Sequence, residues 1–132
     1  MYSNYKSGNA FSDLSPVSED CLYLNIWLPM KNVSSSEPYA VMIFFYGGSF
    51  DTGSAMFPLY GGASISATNG NTILVAANYR LNAFGFLGSD LLRASDKSTG
   101  NFGIQDQRKA MQFIFANAEN LGADPTKIMV SL

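Results

Sequence analysis

The sequence predicts an α/β fold whose core is a mostly parallel sheet, and three stretches carry that expectation. The first is Ala40 to Tyr46, a β-branched and aromatic run without a charge, which reads as a strand buried on both faces. The second, Thr72 to Tyr79, is uncharged in the same way. The connection between them is too long for a hairpin, so the pair implies a crossover and a doubly wound, parallel arrangement. The third is the stretch after Gly100, one clear amphipathic helix in which Met111, Ile114, Phe115 and Ala118 fall on one face.

Taken in order, residues 1–18 are rich in Ser, Asn and Gly and aperiodic, an irregular N-terminal segment ahead of a domain spanning 19–132. Glu19 and Asp20 read as a solvated strand start rather than as chemistry. From Cys21 to Leu28 the apolar residues alternate, with Leu22, Leu24, Ile26 and Leu28 sharing one face of a half-buried strand that Pro29 closes. Residues 31–38 form a polar connection, and Asn32-Val33-Ser34 within it fits the N-glycosylation pattern, which matters only in a secreted chain. After the first apolar run, Gly47 and Gly48 let the backbone turn where a side chain would collide. They leave N–H groups exposed at the strand's carboxyl end, where open α/β sheets place their chemistry.

Met56 to Gly62 reads as irregular, Ala63 to Thr68 as a short helical turn, and Asn69-Gly70-Asn71 as the turn into the second run. Arg80 to Gly88 reads as a glycine-punctuated loop with aromatic anchors, and residues 91–99 as polar surface. Asn101 suits an N-cap, and the charge of Asp106 near the helix start suits the macrodipole. Gly122 and Pro125 supply the stop, and Lys127 to Leu132 begins another buried strand.

Composition narrows the functions available. Net charge is −2 with Lys and Arg scattered, so no footprint for nucleic acid or an anionic membrane is present. No stretch approaches the length of a membrane span. Met1 to Asp13 lacks the basic start and apolar core of a signal peptide, so the chain as written is expected in the cytoplasm, and outside the cell only if a preceding segment carries a signal. The single cysteine, Cys21, has no internal disulfide partner and reads as a small buried or half-buried thiol. No cofactor is expected, and one Cys with no His argues against zinc. Histidine is absent altogether, so a Ser-His-Asp or Cys-His site cannot be completed within these residues. With 47% apolar and only 14% charged residues, the balance is that of a core with little covering surface, as in a piece of something larger.

Five motifs then point to a family. Glu19-Asp20-Cys21-Leu22-Tyr23-Leu24-Asn25, the Tyr46-Gly47-Gly48-Ser49-Phe50 loop, Asn78-Tyr79-Arg80-Leu81 with Phe84-Gly85-Phe86-Leu87, Gly100-Asn101-Phe102-Gly103 running to Asp106-Gln107, and Gly122-Ala123-Asp124-Pro125 occur in order over about five sixths of the chain. Together they resemble the type-B carboxylesterases, the group that includes cholinesterases and their non-catalytic adhesion relatives. The resemblance implies the N-terminal portion of an α/β-hydrolase sheet. It also implies that the serine nucleophile follows the strand ending at Leu132, with the acid and the histidine further on. No serine here substitutes, because G-x-S-x-G occurs nowhere and Ser49 has Asp51 where the second glycine belongs. The chain alone is thus expected to be inactive, a serine carboxylic-ester hydrolase only if extended.

By the same resemblance, Gly48 and Ser49 are the remnant of the oxyanion hole, the donors that hold a tetrahedral intermediate. Ser49 stands where glycine is usual, which implies local strain or reshaping of the backbone. Tyr46 in place of histidine matches cholinesterases. Cys21 pairs, in secreted relatives, with an upstream cysteine missing here. Trp27 and Phe84 to Phe86 read as core packing before any gorge lining. A non-catalytic interaction module, with a partner strand covering an exposed sheet edge, is the alternative, and a chain that does not fold stably is a third reading.

Overall fold

A computed structural model describes residues 18–30, 37–93 and 97–132. The N-terminal segment, most of the polar connection with its glycosylation pattern, and part of the 91–99 surface stretch lie outside the described residues. Four strands, β1 (Leu24–Trp27), β2 (Tyr39–Phe44), β3 (Thr72–Ala77) and β4 (Ala123–Ser131), form one sheet in the order β1-β3-β2-β4. β2 lies parallel to both β3 and β4, and β1 runs antiparallel along β3. The crossovers are made by α1 (Ala63–Asn69) between β2 and β3, and by α2 (Asn82–Phe86) and α3 (Phe102–Asn117) between β3 and β4. The expected parallel sheet is therefore present, with one antiparallel strand at its edge. No helix among the described residues is long and apolar enough to cross a membrane.

The core follows from the period-two pattern. Val41, Ile43, Ile73, Val75 and Ala77 are all but fully buried and join Ala110 and Ile114 of α3 and Ala118 at its C-cap in one cluster. β3, central in the sheet, is buried along nearly its whole length on both faces. β2 departs from expectation: Tyr39, Val41 and Ile43 are buried, whereas Ala40, Met42 and Phe44 on the second face are only half-buried. The reason is the brevity of α1, whose seven residues cover only part of that face. Beyond it lies an open, mostly apolar groove of about 380 Å³ lined by Met42, Ile65, Leu74 and Ile128 among others.

The remaining elements differ from the sequence reading in instructive ways. β1 pairs only from Leu24 to Trp27, and Leu22 and Leu28 stand half exposed, because an edge strand has one neighbour and its ends leave the ladder early. Arg80 to Gly88 is not a plain loop, since it contains α2. β4 starts four residues before the expected Lys127, at Ala123, and a register shift falls where Tyr39 meets Ala123 and Val41 meets Ile128. Pro125 sits in this irregular start, where a missing ladder donor is tolerated. Helix α3 gives way to a single 3₁₀ turn at Glu119–Leu121, and Gly122, at φ 71, completes the stop.

Asn101 takes the N-cap place of α3 but in the left-handed conformation, and its side chain caps nothing. On α3 itself the buried line is Gly103, Gln107, Ala110 and Ile114, continued by Ala118 at the C-cap, and Phe115 lies off the core face expected for it. Successive helical residues are turned about 100° apart, and burying Ile114 rotates Phe115 to a 64% exposed site. Phe115→Lys is accordingly expected to change stability by less than about 0.5 kcal/mol in urea unfolding. A loss several times larger would place Phe115 back in a packed interface.

Candidate functional site

The site is the turn that follows β2. Phe45 and Tyr46 continue the strand's direction and are buried, and the chain then emerges at Gly47. Gly48 has φ 131, and a Cβ there would stand 2.1 Å from the Thr52 carbonyl oxygen, so no residue with a side chain fits the turn as built. The next two residues, Ser49 and Phe50, both lie in the left-handed region at φ 55 and 61. Two consecutive left-handed residues reverse the chain, and the Gly48 carbonyl accepts from the Asp51 N–H at 3.0 Å and the Thr52 N–H at 3.2 Å. Gly47, by contrast, has open space around its missing Cβ and no positive φ. The expected need for glycine thus holds at Gly48 and fails at Gly47.

Bulky Phe50 in the left-handed region is unusual, and strain of this kind persists only when the surroundings hold it. Here the Phe50 carbonyl accepts from the Asn82 N–H at 2.7 Å, and its ring packs on Phe86 at 5.0 Å between centroids and edge-on to Tyr79 at 6.5 Å. Gly47 to Phe50 are all exposed. Among the described residues nothing accepts a hydrogen bond from the Gly48 or Ser49 N–H. The turn therefore offers two adjacent, unclaimed backbone donors at the carboxyl end of an inner strand. Such a pair suits an anion or a polarised carbonyl oxygen.

Two anchors from the segment that follows β3 fix the chain on either side of the turn. Tyr79 donates its hydroxyl to the Tyr46 carbonyl at 2.6 Å, and Tyr46 donates its own to the Tyr79 carbonyl at 3.1 Å. Their rings stack at 4.6 Å and 21°. Burial pushes the Tyr79 phenol above the ordinary tyrosine range, with Tyr60 adding to the shift, so it stays a donor at neutral pH. On the far side of the turn, the Asn78 side chain accepts from the Ala55 N–H at 2.9 Å, while Asn25 on β1 donates to the Ala55 carbonyl at 3.2 Å.

Behind both, Arg80 makes a bidentate pair with Asp106 of α3, from Nε to Oδ2 and from Nη2 to Oδ1 at 2.7 Å each, and lies over the Phe102 ring. Asp106 also accepts from the Arg80 backbone N–H at 3.0 Å. These bonds hold the Arg80 guanidinium above its ordinary range. Gly85 and Gly103 allow the close approach, since a Cβ on either would stand 2.2 or 2.4 Å from the Arg80 carbonyl oxygen.

Of the residues singled out from sequence, Gly48 and Ser49 both stand exposed in the turn. Glu19 and Asp20 are exposed, as read, and Asp20 accepts from the Tyr23 hydroxyl at 2.6 Å, a bond that raises the Tyr23 phenol. Cys21 is half-buried. Trp27 packs against the core, beside Gly62, where a Cβ would meet its ring at 2.6 Å. Phe86 supports Phe50, but Phe84 is half exposed and belongs to no core. Sequence reasoning missed the anchors. A hydrogen-bonding residue followed by an aromatic at a buried strand's end, and one aspartate beside the buried line of a helix, were the signals available.

The model of the carboxylesterase family matches residues 2–131. The chain is 44% identical over 115 residues to the neuroligin-like protein glit-1 of Caenorhabditis elegans, a match covering 86% of this chain and 14% of the relative. It is 38% identical over 129 residues to an acetylcholinesterase of Bungarus fasciatus, covering 98% of this chain and 20% of that protein. To acetylcholinesterase-1 of Trittame loki it is 37% identical over 115 residues, 86% of this chain and 20% of the relative. The chain thus spans a fifth or less of the length of these curated relatives.

Proposed function

The chain belongs to the carboxylesterase family, whose partial α/β-hydrolase fold it carries, and we propose that it contributes the oxyanion donors of a serine hydrolase acting on a carboxylic ester. The reading is carried by one observation, the exposed and unclaimed N–H groups of Gly48 and Ser49 at the end of β2. In the reaction a serine alkoxide adds to the ester carbonyl, and the carbonyl oxygen takes up the negative charge. Donors already aimed at that oxygen stabilise the transition state without reorganising. Loss of the alcohol leaves an acyl-serine that water hydrolyses, with a third donor next to the serine.

Within this sequence there is no histidine, so the 132 residues alone hold no imidazole base and are inactive in this reading. In this reading the serine, acid and base are supplied from outside these 132 residues. The test is capture of the native protein, its intact mass, and reaction with a fluorophosphonate. A species several times heavier than 14.3 kDa that takes the label on serine and hydrolyses a simple ester is expected. A native protein that takes no label and turns over no ester overturns the reading.

A second reading, a non-catalytic interaction module, is favoured by Ser49 itself, which stands where a hydrolase usually keeps glycine, and by a relative named neuroligin-like. Its partner is a protein segment that adds to an exposed edge of the sheet. Ester turnover by the native protein separates the two, and Ser49→Gly then tests the turn within the first. At φ 55 a serine is tolerated at a cost of about 1 kcal/mol relative to glycine, so in the hydrolase the substitution should leave ester turnover equal or higher. A large loss of turnover would show that the turn has been assigned wrongly.

A further inference from the structure

The two donors are useful only if the peptide planes that carry them are held, and the structure shows what holds the peptide just before them. The Tyr46 carbonyl belongs to the peptide that leads into Gly47, the last buried group before the turn emerges. It accepts a 2.6 Å bond from the Tyr79 hydroxyl, the shortest tie between the turn's base and the neighbouring strand's end. Tyr79 is itself enclosed: it is 4% exposed, stacked on Tyr46, and in edge contact with Phe45 and Phe50. It therefore touches both the chain entering the turn, at Phe45 and Tyr46, and the residue at its tip, Phe50. Gly53 closes the arrangement from the other side, because its backbone passes so near the Tyr46 ring that a Cβ would lie 2.5 Å from it.

We propose that Tyr79 is a positioning residue of the turn: its hydroxyl sets the Tyr46–Gly47 peptide plane and, through it, the direction in which the Gly48 and Ser49 N–H groups are presented. The inference rests on the oxyanion reading of those two amides. A ring alone would fill the same space, so the claim is specific to the phenolic donor. The return bond, from the Tyr46 hydroxyl to the Tyr79 carbonyl, ties down Tyr79 and does not touch the turn's own backbone. The two hydroxyls of one stacked pair thus have different jobs. Small rotations of a donor peptide are costly for catalysis, since the donors must meet the developing oxyanion within hydrogen-bond distance.

The experiment is amide-resolved NMR on the isotopically labelled full-length protein carrying Tyr79→Phe, with Tyr46→Phe and 4-aminophenylalanine at residue 79 in parallel. With Tyr79→Phe, the Gly47, Gly48 and Ser49 signals are expected to move or broaden. Hydrogen exchange at the Asp51 and Thr52 amides, which bond within the turn, should speed about tenfold or more, with Ile43 and Val75 unchanged. Tyr46→Phe should leave those turn signals within about twofold of wild type, and the amino analogue, which restores a donor, should restore them. Turn signals unmoved by Tyr79→Phe, a loss of protection spread evenly over the sheet in both variants, or failure of the amino analogue to rescue would each overturn the proposal. The readout needs no ester turnover, so failure of this inference and failure of the hydrolase reading are seen separately.

Discussion

Asp106→Ala is expected to lower stability by about 3 kcal/mol, more than any surface ion pair in the molecule could cost. The Asp106 side chain is 8% exposed and accepts three hydrogen bonds, two from the Arg80 guanidinium and one from the Arg80 backbone N–H. Truncation removes all three at once and strands a backbone donor between the end of β3 and α3. The guanidinium itself is 38% exposed and keeps the Phe102 ring beneath it, which holds the loss below the upper range for a fully buried pair. Asp106→Asn should cost about 2 kcal/mol, since the amide keeps one acceptor but turns a donor toward a donor.

The comparison is the Arg93–Asp90 pair, whose partners are largely exposed, and whose removal should cost less than about 0.5 kcal/mol. Urea unfolding with an unchanged m-value measures both. A loss under about 1 kcal/mol for Asp106→Ala would mean that the packing of Gly103 on Arg80 and Phe86, rather than the ion pair, joins α3 to the sheet.

The contrast between those two pairs also explains what was legible in the sequence. Strands β2 and β3, their parallel pairing and the long helix were readable because uncharged runs and a 3.6-residue period have few alternatives. The glycine turn was readable as a place, from its punctuation and its family resemblance. Its geometry was not, because Gly47 and Gly48 look alike in sequence while only Gly48 carries a positive φ. Asp106 shows the limit most plainly. Local rules assign a carboxylate near a helix start to the macrodipole, and only the crossover that brings Arg80 against α3 reveals its partner 26 residues away. Phe115 failed for the opposite reason: helical spacing defines a face but not which edge of that face meets the sheet. Pairings and rotations of this kind are set by packing between elements, which no single stretch encodes.

If the chain serves the proposed ester hydrolase, Gly48→Ala should have the largest effect on turnover of any single methyl added to the turn. Two costs combine at this residue. A φ of 131 is a conformation that L residues rarely adopt, and the added Cβ would stand 2.1 Å from the Thr52 carbonyl oxygen, a backbone atom with no rotamer to escape into. The turn must open, which breaks the bonds from the Asp51 and Thr52 N–H groups to the Gly48 carbonyl and swings the Gly48 and Ser49 donors off their target. In the complete hydrolase, kcat should fall about 10²- to 10³-fold with KM little changed, the signature of an interaction made mainly in the transition state.

Gly47→Ala is the matched control, because its Cβ points into open space and its φ is not positive, so turnover should stay within about threefold of wild type. The two substitutions add the same atom to neighbouring residues of one loop. A general intolerance of the loop would depress both alike. Equal losses would therefore remove the basis for assigning the donors to this turn, whereas a large loss at Gly48 alone ties turnover to the backbone geometry that begins there.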